Sequence, residues 1–356
     1  MKNLLNNSAS MAQNSVAVLT TSRSEYYQVR PILRCLQSSE SLSLQLFVSG
    51  SHLSAQFGNS LKDIEKDGFS PHEKLPIMVE DDSGLGCAVT AGLAVQMIAG
   101  ALDRNATDVL LLMGDRYEML AAALAATCVG VPIVHVHGGE RTDGVLDDSC
   151  RHAITKLSSL HFVSTDVYRA RVIQMGESPD RVFTVGAPLV DELMTVPLLT
   201  EPEVAGSLKL DIEHPLALVA YHPVTREKDD DGKICRLIME SVSTFCNTVI
   251  ATAPNSDPGN RVIFDVMKAF AQKYNHVKLF TNLGSQRFLS LMSCAELMIG
   301  NSSSGIHEAA SFKLPVVNVG SRQTGRLRPL NVVDCEPEVS SINKAVSLSL
   351  SAEFRR

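Results

Sequence analysis

Short apolar runs rich in β-branched residues alternate with longer helix-like segments along most of the chain. Val16–Thr20 is one such run. Asp108–Met113 is another, and its unbroken apolar pattern is typical of a parallel strand that is buried on both faces. Parallel strands need a crossover connection, which is usually a helix, so strands that alternate with helices form βαβ units. The alternation therefore predicts an α/β fold built on doubly wound parallel sheets.

The alternation is interrupted at Thr195–Glu203, where two prolines occur and the periodicity is lost. It restarts at Leu216 and continues through a second series of similar length, and 356 residues suit two domains of ordinary size. We therefore predict two Rossmann-like domains, at residues 16–195 and 205–356, with the functional site in the cleft between them. Residues 1–15 are predicted to be a disordered N-terminal extension.

Composition excludes several classes of partner. The formal net charge of −7 argues against nucleic acid, because proteins that bind it carry a basic surface. Eight cysteines without a CxxC pair suit a reducing cytosol better than a disulfide framework. We find no apolar run of the roughly 18–20 residues that a membrane span needs, and the first residues lack the apolar stretch of a signal peptide. We therefore expect a cytoplasmic protein with neither a membrane nor a nucleic-acid partner.

Ligands of doubly wound sheets bind beyond the carboxyl ends of the strands, so the residues that follow each strand are the candidates for function. In the first half, Arg23 follows the first strand in a hydroxyl-rich turn, and Asp115 and Arg116 follow the buried apolar run. Helix capping is the simpler interpretation of the Arg23 turn. A cap would also explain Asp115, but the flanking Arg116 and Glu118 make that motif richer than a cap requires, and the functional interpretation is a carboxylate that projects into the cleft. In HVHGGE, two glycines allow a turn that brings His137 and Glu140 to the cleft, although one buried histidine beside a Gly-Gly turn explains the pattern too.

Asp147 and Arg151 lie four residues apart at the start of a predicted helix and therefore share a face. An exposed ion pair of this kind contributes roughly a few tenths of a kcal/mol and carries no function. The functional interpretation is an arginine that orients a catalytic carboxylate. Carboxylates gathered in one cleft can differ in pKa and divide the roles of acid and base.

Cofactor and metal signals are weak. His135 and His137 lie two residues apart on a predicted strand and would point to the same side, but no third ligand follows at a convincing spacing. No G-x-G-x-x-G pattern follows the first strand, and no G-x-x-x-x-G-K-[ST] pattern occurs. We therefore expect no metal, no nicotinamide cofactor and no NTPase activity.

The strand ends of the second half carry groups that suit a phosphate. His222 by itself would be an ordinary loop histidine, but an imidazole can also contact a phosphate oxygen near neutral pH. Ser302 and Ser303 lie where a strand runs into a helix, and hydroxyls with free backbone N–H groups at such a junction bind anions without a basic residue. Glu308 could accept a hydrogen bond from a ribose, and Arg322 follows the last predicted strand. This pattern predicts a nucleotide or a nucleotide sugar faced by the carboxylates of the first domain.

Six segments occur in an order that resembles one known family. They are GDRYEMLAAALAA, HVHGGE, DDSCRHAITKLSSLHFVST, YHPVT, IGNSSSGIHE and GSRQTGR, and the match runs from about Val16 to Val333. The family is that of the hydrolysing UDP-N-acetylglucosamine 2-epimerases of sialic-acid-type sugar biosynthesis. The resemblance implies two Rossmann-like domains of the glycosyltransferase-B type and a homodimer or homotetramer. It also implies that a UDP-linked 2-acetamido sugar and water are converted to the free manno-configured sugar and UDP, without a metal or a nicotinamide.

The resemblance also implies roles for the candidate residues. Asp115 and Asp147 are similar to the cleft carboxylates of the family, with Arg151 supporting them, and His222 to the residue that assists the departure of UDP. The residues implied to contact the diphosphate, ribose or sugar are Ser302, Ser303, Glu308, Arg23 and Arg322, and we place Arg116 with them. We predict that Asp115, His137, Glu140 and Asp147 share the proton transfers. Which of these four removes the C2 proton stays open.

The chain departs from the family pattern at a few positions. Thr21 and Tyr27 stand where the family usually has glycine, and part of the family has glutamate in place of His137.

The substrate is predicted to be UDP-N-acetylglucosamine or UDP-2,4-diacetamido-2,4,6-trideoxyglucose, the sugar used for legionaminic-type acids. The alternatives are a non-hydrolysing epimerase, which returns the sugar to UDP, and a catalytically weak module that only binds UDP-sugars.

Overall fold

The computed structural model describes residues 13–81, 83–143, 145–224, 232–255 and 257–354. Within these residues the chain forms two parallel α/β sheets, one after the other along the sequence. The predicted fold class is therefore confirmed. Residues 1–12 of the predicted extension lie outside the described part of the chain, and the first strand begins at Asn14, two residues before the predicted start.

The first domain alternates strands and helices as the sequence predicts. Its strands are β1 (Asn14–Thr20), β2 (Leu42–Ser49), β3 (Glu73–Leu75), β4 (Val109–Met113), β5 (Ile133–Val136), β6 (Leu160–Val163) and β7 (Val182–Thr184). Its helices are α1 (Arg23–Gln37), α2 (Leu61–Lys66), α3 (Gly84–Arg104), α4 (Tyr117–Val129), α5 (Leu146–Leu157), α6 (Asp166–Gln174) and α7 (Pro188–Thr195). In the described residues the strands pair in parallel in the order β3-β2-β1-β4-β5-β6-β7.

The second domain repeats the scheme with a smaller sheet. Its strands are β8 (Leu216–Ala220), β9 (Thr248–Thr252), β10 (Val277–Phe280), β11 (Leu297–Gly300), β12 (Val316–Val319) and β13 (Val332–Cys335). Its helices are α8 (Glu201–Leu208), α9 (Lys233–Phe245), α10 (Asn260–Lys273), α11 (Ser285–Cys294), α12 (Ser304–His307) and α13 (Val339–Ser349). The described strands pair in parallel in the order β10-β9-β8-β11-β12-β13.

Strand β4 shows why an unbroken apolar run becomes a central strand. Successive side chains point to opposite faces of a sheet, so such a run buries apolar groups on both faces. Leu110 and Leu112 pack into the core beneath α3 and α4, and Leu111 and Met113 pack on the opposite face, beneath α1. Burying an aliphatic side chain of this size contributes roughly 1.5–3 kcal/mol. These cores fix the sheet and therefore the positions of the loops at its carboxyl edge.

The segment between the domains is shorter than predicted. Helix α8 begins at Glu201, inside the predicted linker Thr195–Glu203, and a capping box starts it. The Thr200 hydroxyl and backbone N–H donate to the Glu203 carboxylate at 2.7 and 2.8 Å, which satisfies groups that a helix start leaves unpaired. The two prolines of Thr195–Glu203 thus mark a helix start as well as a linker.

Helix α3 corrects the expectation about apolar length. Among the described helices, α3 is long and apolar enough to cross a membrane by length and composition, because its glycines and alanines raise the mean hydropathy. Ala94, Ile98 and Ala101 nevertheless belong to the core of the first domain, against α4. Leu85, Val89 and Leu93 form a separate exposed stripe of α3 at helical spacing.

Both sheets have their switch point beside the first strand of the domain. Strand β1 lies between β2 and β4, and β8 lies between β9 and β11, so the connections leave in opposite directions at these two places. Ligands of open α/β sheets bind outside the carboxyl ends of the strands at such points. The loops after β1, β4, β8 and β11 are therefore the ones that the topology exposes to a ligand.

Gly300, at the end of β11, is required by this geometry. Its φ is +142°, and an added Cβ would lie 2.1 Å from the Ala220 carbonyl oxygen of β8. We expect Gly300→Ala to lower the free energy of unfolding by more than about 1 kcal/mol, because the native backbone cannot accept a side chain there. Urea unfolding followed by circular dichroism measures this change.

The matched control is Gly206→Ala in α8, where an added Cβ would meet nothing within 4 Å. This variant is expected to gain roughly 0.5–1 kcal/mol, because alanine favours a helix interior. Equal unfolding midpoints for the two variants would contradict the proposed requirement at Gly300.

Candidate functional site

A cavity of about 240 Å³ lies between the domains, at the carboxyl ends of both sheets. It is lined from the first domain by α1, α7 and the segment after β2, and from the second by the segments after β8, β9, β10, β11 and β12. Six of the predicted site residues line it: Arg23, His222, Ser302, Ser303, Glu308 and Arg322. The other six predicted residues lie outside this lining, and most of them form a charged group on the side of the first domain.

Asn301 joins the ends of β8 and β11 at the floor of this cavity. Its side-chain oxygen accepts the His222 backbone N–H at 2.7 Å, and its side-chain nitrogen donates to the His222 carbonyl at 2.8 Å. Its own carbonyl oxygen accepts hydrogen bonds from Arg322 Nη1 at 3.1 Å and Gln323 Nε2 at 2.7 Å. One buried asparagine therefore sets the relative positions of the histidine and the arginine that line the cavity.

The tautomer of His222 follows from a single hydrogen bond. The backbone N–H of Asn255 lies 3.1 Å from His222 Nδ1, and because an N–H group can only donate, Nδ1 must be the acceptor. In the neutral ring Nε2 then carries the hydrogen. Burial lowers the pKa of His222 to about 3, and the positive charge of Arg322 acts in the same direction. His222 is thus a neutral hydrogen-bond donor at the cavity.

The serine segment after β11 is arranged as the sequence predicts. Ser302, Ser303 and Ser304 all line the cavity, and the short helix α12 begins at Ser304. Glu308 accepts a hydrogen bond from the Ser304 hydroxyl at 3.1 Å, and burial raises its pKa to about 7. The segment offers hydroxyl groups and one carboxyl to a ligand, while the positive charge comes from arginines on neighbouring loops.

Helix α1 reaches across the cavity to the second domain. Arg23 Nη1 donates to the Thr281 carbonyl at 2.8 Å, and burial lowers the pKa of its guanidinium. Tyr27 also lines the cavity, and burial raises the pKa of its hydroxyl to about 12. Thr21 lies outside the lining, because its backbone N–H and hydroxyl donate to the Glu25 carboxylate at 2.9 and 2.7 Å. Of the two positions that depart from the family pattern, only Tyr27 therefore lines the cavity.

Arg151 orients a different carboxylate from the predicted one. Its guanidinium donates to Asp115 through both Nε, at 3.0 Å, and Nη2, and its further ion pair is with Asp148 at 3.2 Å. Asp147, the partner that the helical spacing predicts, is not among the ion pairs that the described residues show for Arg151. The expected Asp147–Arg151 pair is therefore wrong, because the arginine is buried and turns toward the loop after β4. Burial opposes ionisation of Asp115, but Arg151 and Arg326 outweigh it and lower the pKa.

The surroundings of Asp147 shift its pKa in the direction opposite to that of Asp115. Burial, followed by the nearby Asp115 and Asp257 carboxylates, raises the pKa of Asp147 to about 7, against the opposing effect of Arg322 and Arg116. The two cleft carboxylates of the sequence analysis therefore differ in charge at neutral pH. This is the arrangement in which one acid stays ionised while its neighbour can carry a proton.

Arg116 joins the domains and does not line the cavity. Its guanidinium is buried between Glu118, at 2.9 Å, and Asp257 of the second domain, at 3.1 Å, with Glu25 at 3.7 Å. The expectation that Arg116 contacts a substrate directly is therefore replaced by an ion pair across the cleft. A buried pair of this kind is costly to break, because one charge would then stay buried without a partner.

The two histidines of HVHGGE point in different directions. Strand β5 ends at Val136, and His137 has a φ of +67°, so the alternation that would bring His135 and His137 together stops between them. His135 is buried in the sheet, where Nε2 lies 2.8 Å from the Gly114 carbonyl oxygen. His137 instead approaches Glu140, with 3.2 Å between Nδ1 and Oε1. In the described part of the chain no group of three His, Cys, Asp or Glu residues is arranged to hold a metal ion.

Sequence reasoning missed three charged or titratable residues of the site. Asp257 follows β9, a strand end that the rule of examining every strand end would have included. Arg326 and His307 lie in segments that the sequence singled out, but both face Glu140 of the other domain, at 3.3 and 3.7 Å. No spacing along the chain indicates a contact between two domains.

The fold and site together define a class of protein: two Rossmann-like domains that enclose a cavity lined by serine hydroxyls and arginines, beside a group of carboxylates. The UDP-N-acetylglucosamine 2-epimerase family model matches residues 34–356. A hydrolysing GDP/UDP-N,N'-diacetylbacillosamine 2-epimerase of Campylobacter jejuni is 36% identical over 97% of this chain and 90% of its own length. A hydrolysing UDP-N,N'-diacetylbacillosamine 2-epimerase of Legionella pneumophila is 37% identical over 92% of this chain and 86% of its own.

The chain belongs to the UDP-N-acetylglucosamine 2-epimerase family. Its fold is shared with a Neisseria meningitidis UDP-N-acetylglucosamine 2-epimerase solved with UDP-N-acetylglucosamine bound, with a TM-score of 0.81 at 16% identity, over 96% of this chain and 93% of that one. The family resemblance and the enzyme class predicted from the sequence, a hydrolysing UDP-sugar 2-epimerase, are confirmed.

We expect the His222 imidazole to stay neutral between pH 5 and pH 8, with the hydrogen on Nε2. Nitrogen-15 NMR of the imidazole groups, assigned with a His222→Gln variant, measures both properties. His214 is an internal control, because hydrogen bonds to Glu296 and Glu201 raise its pKa and it is largely exposed. A His222 resonance that titrates together with that of His214 would contradict the assigned tautomer and charge.

Proposed function

We propose that the chain hydrolyses a UDP-linked 2-acetamido sugar and inverts C2, which yields UDP and the free manno-configured sugar. The observation that carries this proposal is the interdomain cavity, where loops of the second sheet that bear serine hydroxyls, His222 and Arg322 adjoin the carboxylates of the first. Of the two predicted substrates we favour the 2,4-diacetamido-2,4,6-trideoxy sugar, because two relatives at 36% and 37% identity are named for N,N'-diacetylbacillosamine. UDP-N-acetylglucosamine is the alternative.

In the proposed binding mode the diphosphate lies at the carboxyl ends of β8 and β11. His222 donates from Nε2 to a diphosphate oxygen, and the hydroxyls of Ser302 and Ser303 donate to others. Arg322 and Arg23 supply positive charge from opposite sides of the cavity. Hydrogen bonds to a charged acceptor contribute roughly 1.5–3 kcal/mol each, so these few donors can hold the diphosphate in a protein of negative net charge.

The reaction is proposed to begin with an anti elimination. A base removes the C2 proton, the C1–C2 double bond forms, and the C1–O electron pair leaves with UDP. Water then adds to the glycal-like intermediate: hydroxide goes to C1, and a proton goes to C2 on the face opposite to the one that lost it. The elimination and the hydration together are redox-neutral, so the reaction needs no electron acceptor, and we propose no cofactor.

The carboxylates are proposed to divide these proton transfers. With a pKa near 7, Asp147 can hold or release a proton at neutral pH, as a general acid or base must. Asp115, held ionised by Arg151, keeps a fixed negative charge beside it. His137 and Glu140 form a second proton-transferring pair, and Arg116 acts through the ion pairs that hold the domains together.

One experiment separates the candidate functions. Each UDP-sugar is incubated with the protein in D₂O, and UDP and free sugar are followed by NMR. We expect free manno-configured sugar that carries deuterium at C2, together with an equal amount of UDP. A UDP-linked epimer would indicate the non-hydrolysing reaction, and bound UDP-sugar without turnover would indicate a binding module.

Asp115→Asn and Asp147→Asn are expected to abolish UDP release in this assay while UDP binding, measured by calorimetry, stays within about threefold of wild type. General acid–base groups typically contribute 10²–10⁴-fold to a rate, so the loss is large. Asp103→Asn, an exposed change in α3, is the matched control. Near-normal turnover in both cleft variants would refute the assigned roles.

We also propose that the protein is a cytoplasmic homodimer or homotetramer. All eight cysteines are free, which suits a reducing compartment. The exposed stripe of Leu85, Val89 and Leu93 on α3 gives a second copy an apolar surface to bury.

Light scattering after size exclusion is expected to give a multiple of the 38.5 kDa chain mass, and Val89→Glu is expected to lower it. A substitution on the exposed face of α1, such as Gln37→Glu, is the control. A wild-type mass of one chain would contradict the proposed assembly.

A further inference from the structure

Four side chains from both domains meet beside the cleft carboxylates. His137 and Glu140 come from the loop after β5, while His307 comes from α12 and Arg326 from the loop after β12. Glu140 lies at the centre: Oε1 is 3.2 Å from His137 Nδ1, and Oε2 is 3.3 Å from Arg326 Nη2. All four side chains are largely buried, so their charges interact with little screening by water.

The first pair has a defined direction. An ionised carboxylate can only accept, so His137 donates from Nδ1 to Glu140, and Nε2 of the neutral ring keeps its lone pair. His137 Nε2 is buried and has no protein partner within the described residues. The Glu140 contact orients the ring, and the His137 backbone N–H donates to the Phe162 carbonyl at 2.9 Å, which holds the backbone that carries the ring. A fixed imidazole with a carboxylate on one nitrogen and a lone pair on the other is the arrangement of a general base.

The second pair supplies the charge that balances Glu140. Arg326 Nη1 donates to His307 Nε2 at 2.9 Å, so this nitrogen of His307 is an acceptor and the ring is neutral. Burial lowers the pKa of His307 to about 4, which agrees with the neutral form. The positive charge facing Glu140 in this array is therefore Arg326. Burial opposes ionisation of Glu140, but the Arg326 charge, with His307 and the hydrogen-bonded His137 acting in the same direction, outweighs it and holds the pKa well below its usual range.

The turn that carries Arg326 is seated directly on the first domain. The Asp143 backbone N–H donates to the Thr324 carbonyl at 3.0 Å across the interface. Gly325 has a φ of +92°, and an added Cβ would lie 2.9 Å from the Arg141 side chain. The close approach at Gly325 places the next residue, Arg326, against Glu140. The array is thus complete only when the second domain lies against the first.

We infer that Arg326 is a positioning residue that couples domain contact to proton transfer at His137. It fixes the ionised Glu140 carboxylate and balances its negative charge. The His137–Glu140 pair then presents an unprotonated Nε2 as the acceptor of the C2 proton. As the C2–H bond breaks, the proton moves to Nε2, and the C1–O electron pair leaves with UDP. This inference rests on the proposed elimination, and it assigns the base that the sequence leaves open.

The test compares Arg326→Gln, Arg326→Lys and Arg328→Gln from pH 6 to pH 9, with UDP release and UDP binding as readouts. In Arg326→Gln the negative charge of Glu140 is no longer balanced, so it stabilises the protonated form of the His137 ring. Glu308, when ionised, adds negative charge nearby. His307 stays neutral and does not replace the lost positive charge. Arg326→Gln is therefore expected to lower kcat at pH 7 by about tenfold or more, with KM within about threefold. Its activity should recover as the pH rises, and Arg326→Lys should keep the wild-type pH profile.

Arg328→Gln is the matched control, because the Arg328 side chain pairs with Asp334 at 2.9 Å and donates to the Gln323 carbonyl at 2.7 Å. It therefore reports the loss of loop contacts without the loss of the charge that faces Glu140. Wild-type kcat in Arg326→Gln would overturn the inference, as would an equal, pH-independent loss in both glutamine variants. A lysine variant whose profile matches that of Arg326→Gln would overturn it too. Wild-type protein that binds UDP-sugar but releases no UDP would instead overturn the proposed function itself.

Discussion

The ion pair between Arg116 and Asp257 is the contact on which the site depends. It crosses the cleft in a buried setting, where Glu118 and Glu25 also face the same guanidinium. Carboxylates outnumber the arginine, so each extra acid is costly to ionise, and the pKa of Glu25 rises to about 7 through burial, against the opposing charge of Arg116. Burial, with the Asp115 and Asp257 carboxylates acting in the same direction, also raises the pKa of Asp147. Domain contact and proton chemistry therefore share one set of charges.

The repeating pattern made the fold accessible from sequence. An unbroken apolar run such as Val109–Met113 has only one compact use, which is to fill both faces of a sheet. Strands β3 and β13 were not predicted; two of the three residues of β3 are charged, so it lacks the apolar run that marks the predicted strands. The strand-end rule also pointed to Asp115 and His222, which follow β4 and β8, since parallel strands all end at the same edge of a sheet.

The partners of the site residues were less accessible. Helical spacing predicted Asp147 for Arg151, yet the arginine binds Asp115, which lies 36 residues away along the chain. Local spacing covers only neighbours on one element, whereas a buried guanidinium takes whichever carboxylates the tertiary fold brings to it. The positive φ of His137 was equally hidden, because the pattern before it is that of a strand. The contact between Arg326 and Glu140 forms only when the two domains, each with its own core, lie against each other.

The Thr324–Asp143 and Arg326–Glu140 contacts also bear on how such enzymes diversify. Each Rossmann-like half has its own core and could be exchanged between relatives as a folding unit. Its chemistry cannot be exchanged so freely, because each half supplies the countercharges of the other. A chimaera of two relatives would fold and still lack an active site, unless the contacting residues of both domains were transplanted together. A substitution on this surface therefore has to be compatible with a residue from the opposite half of the chain.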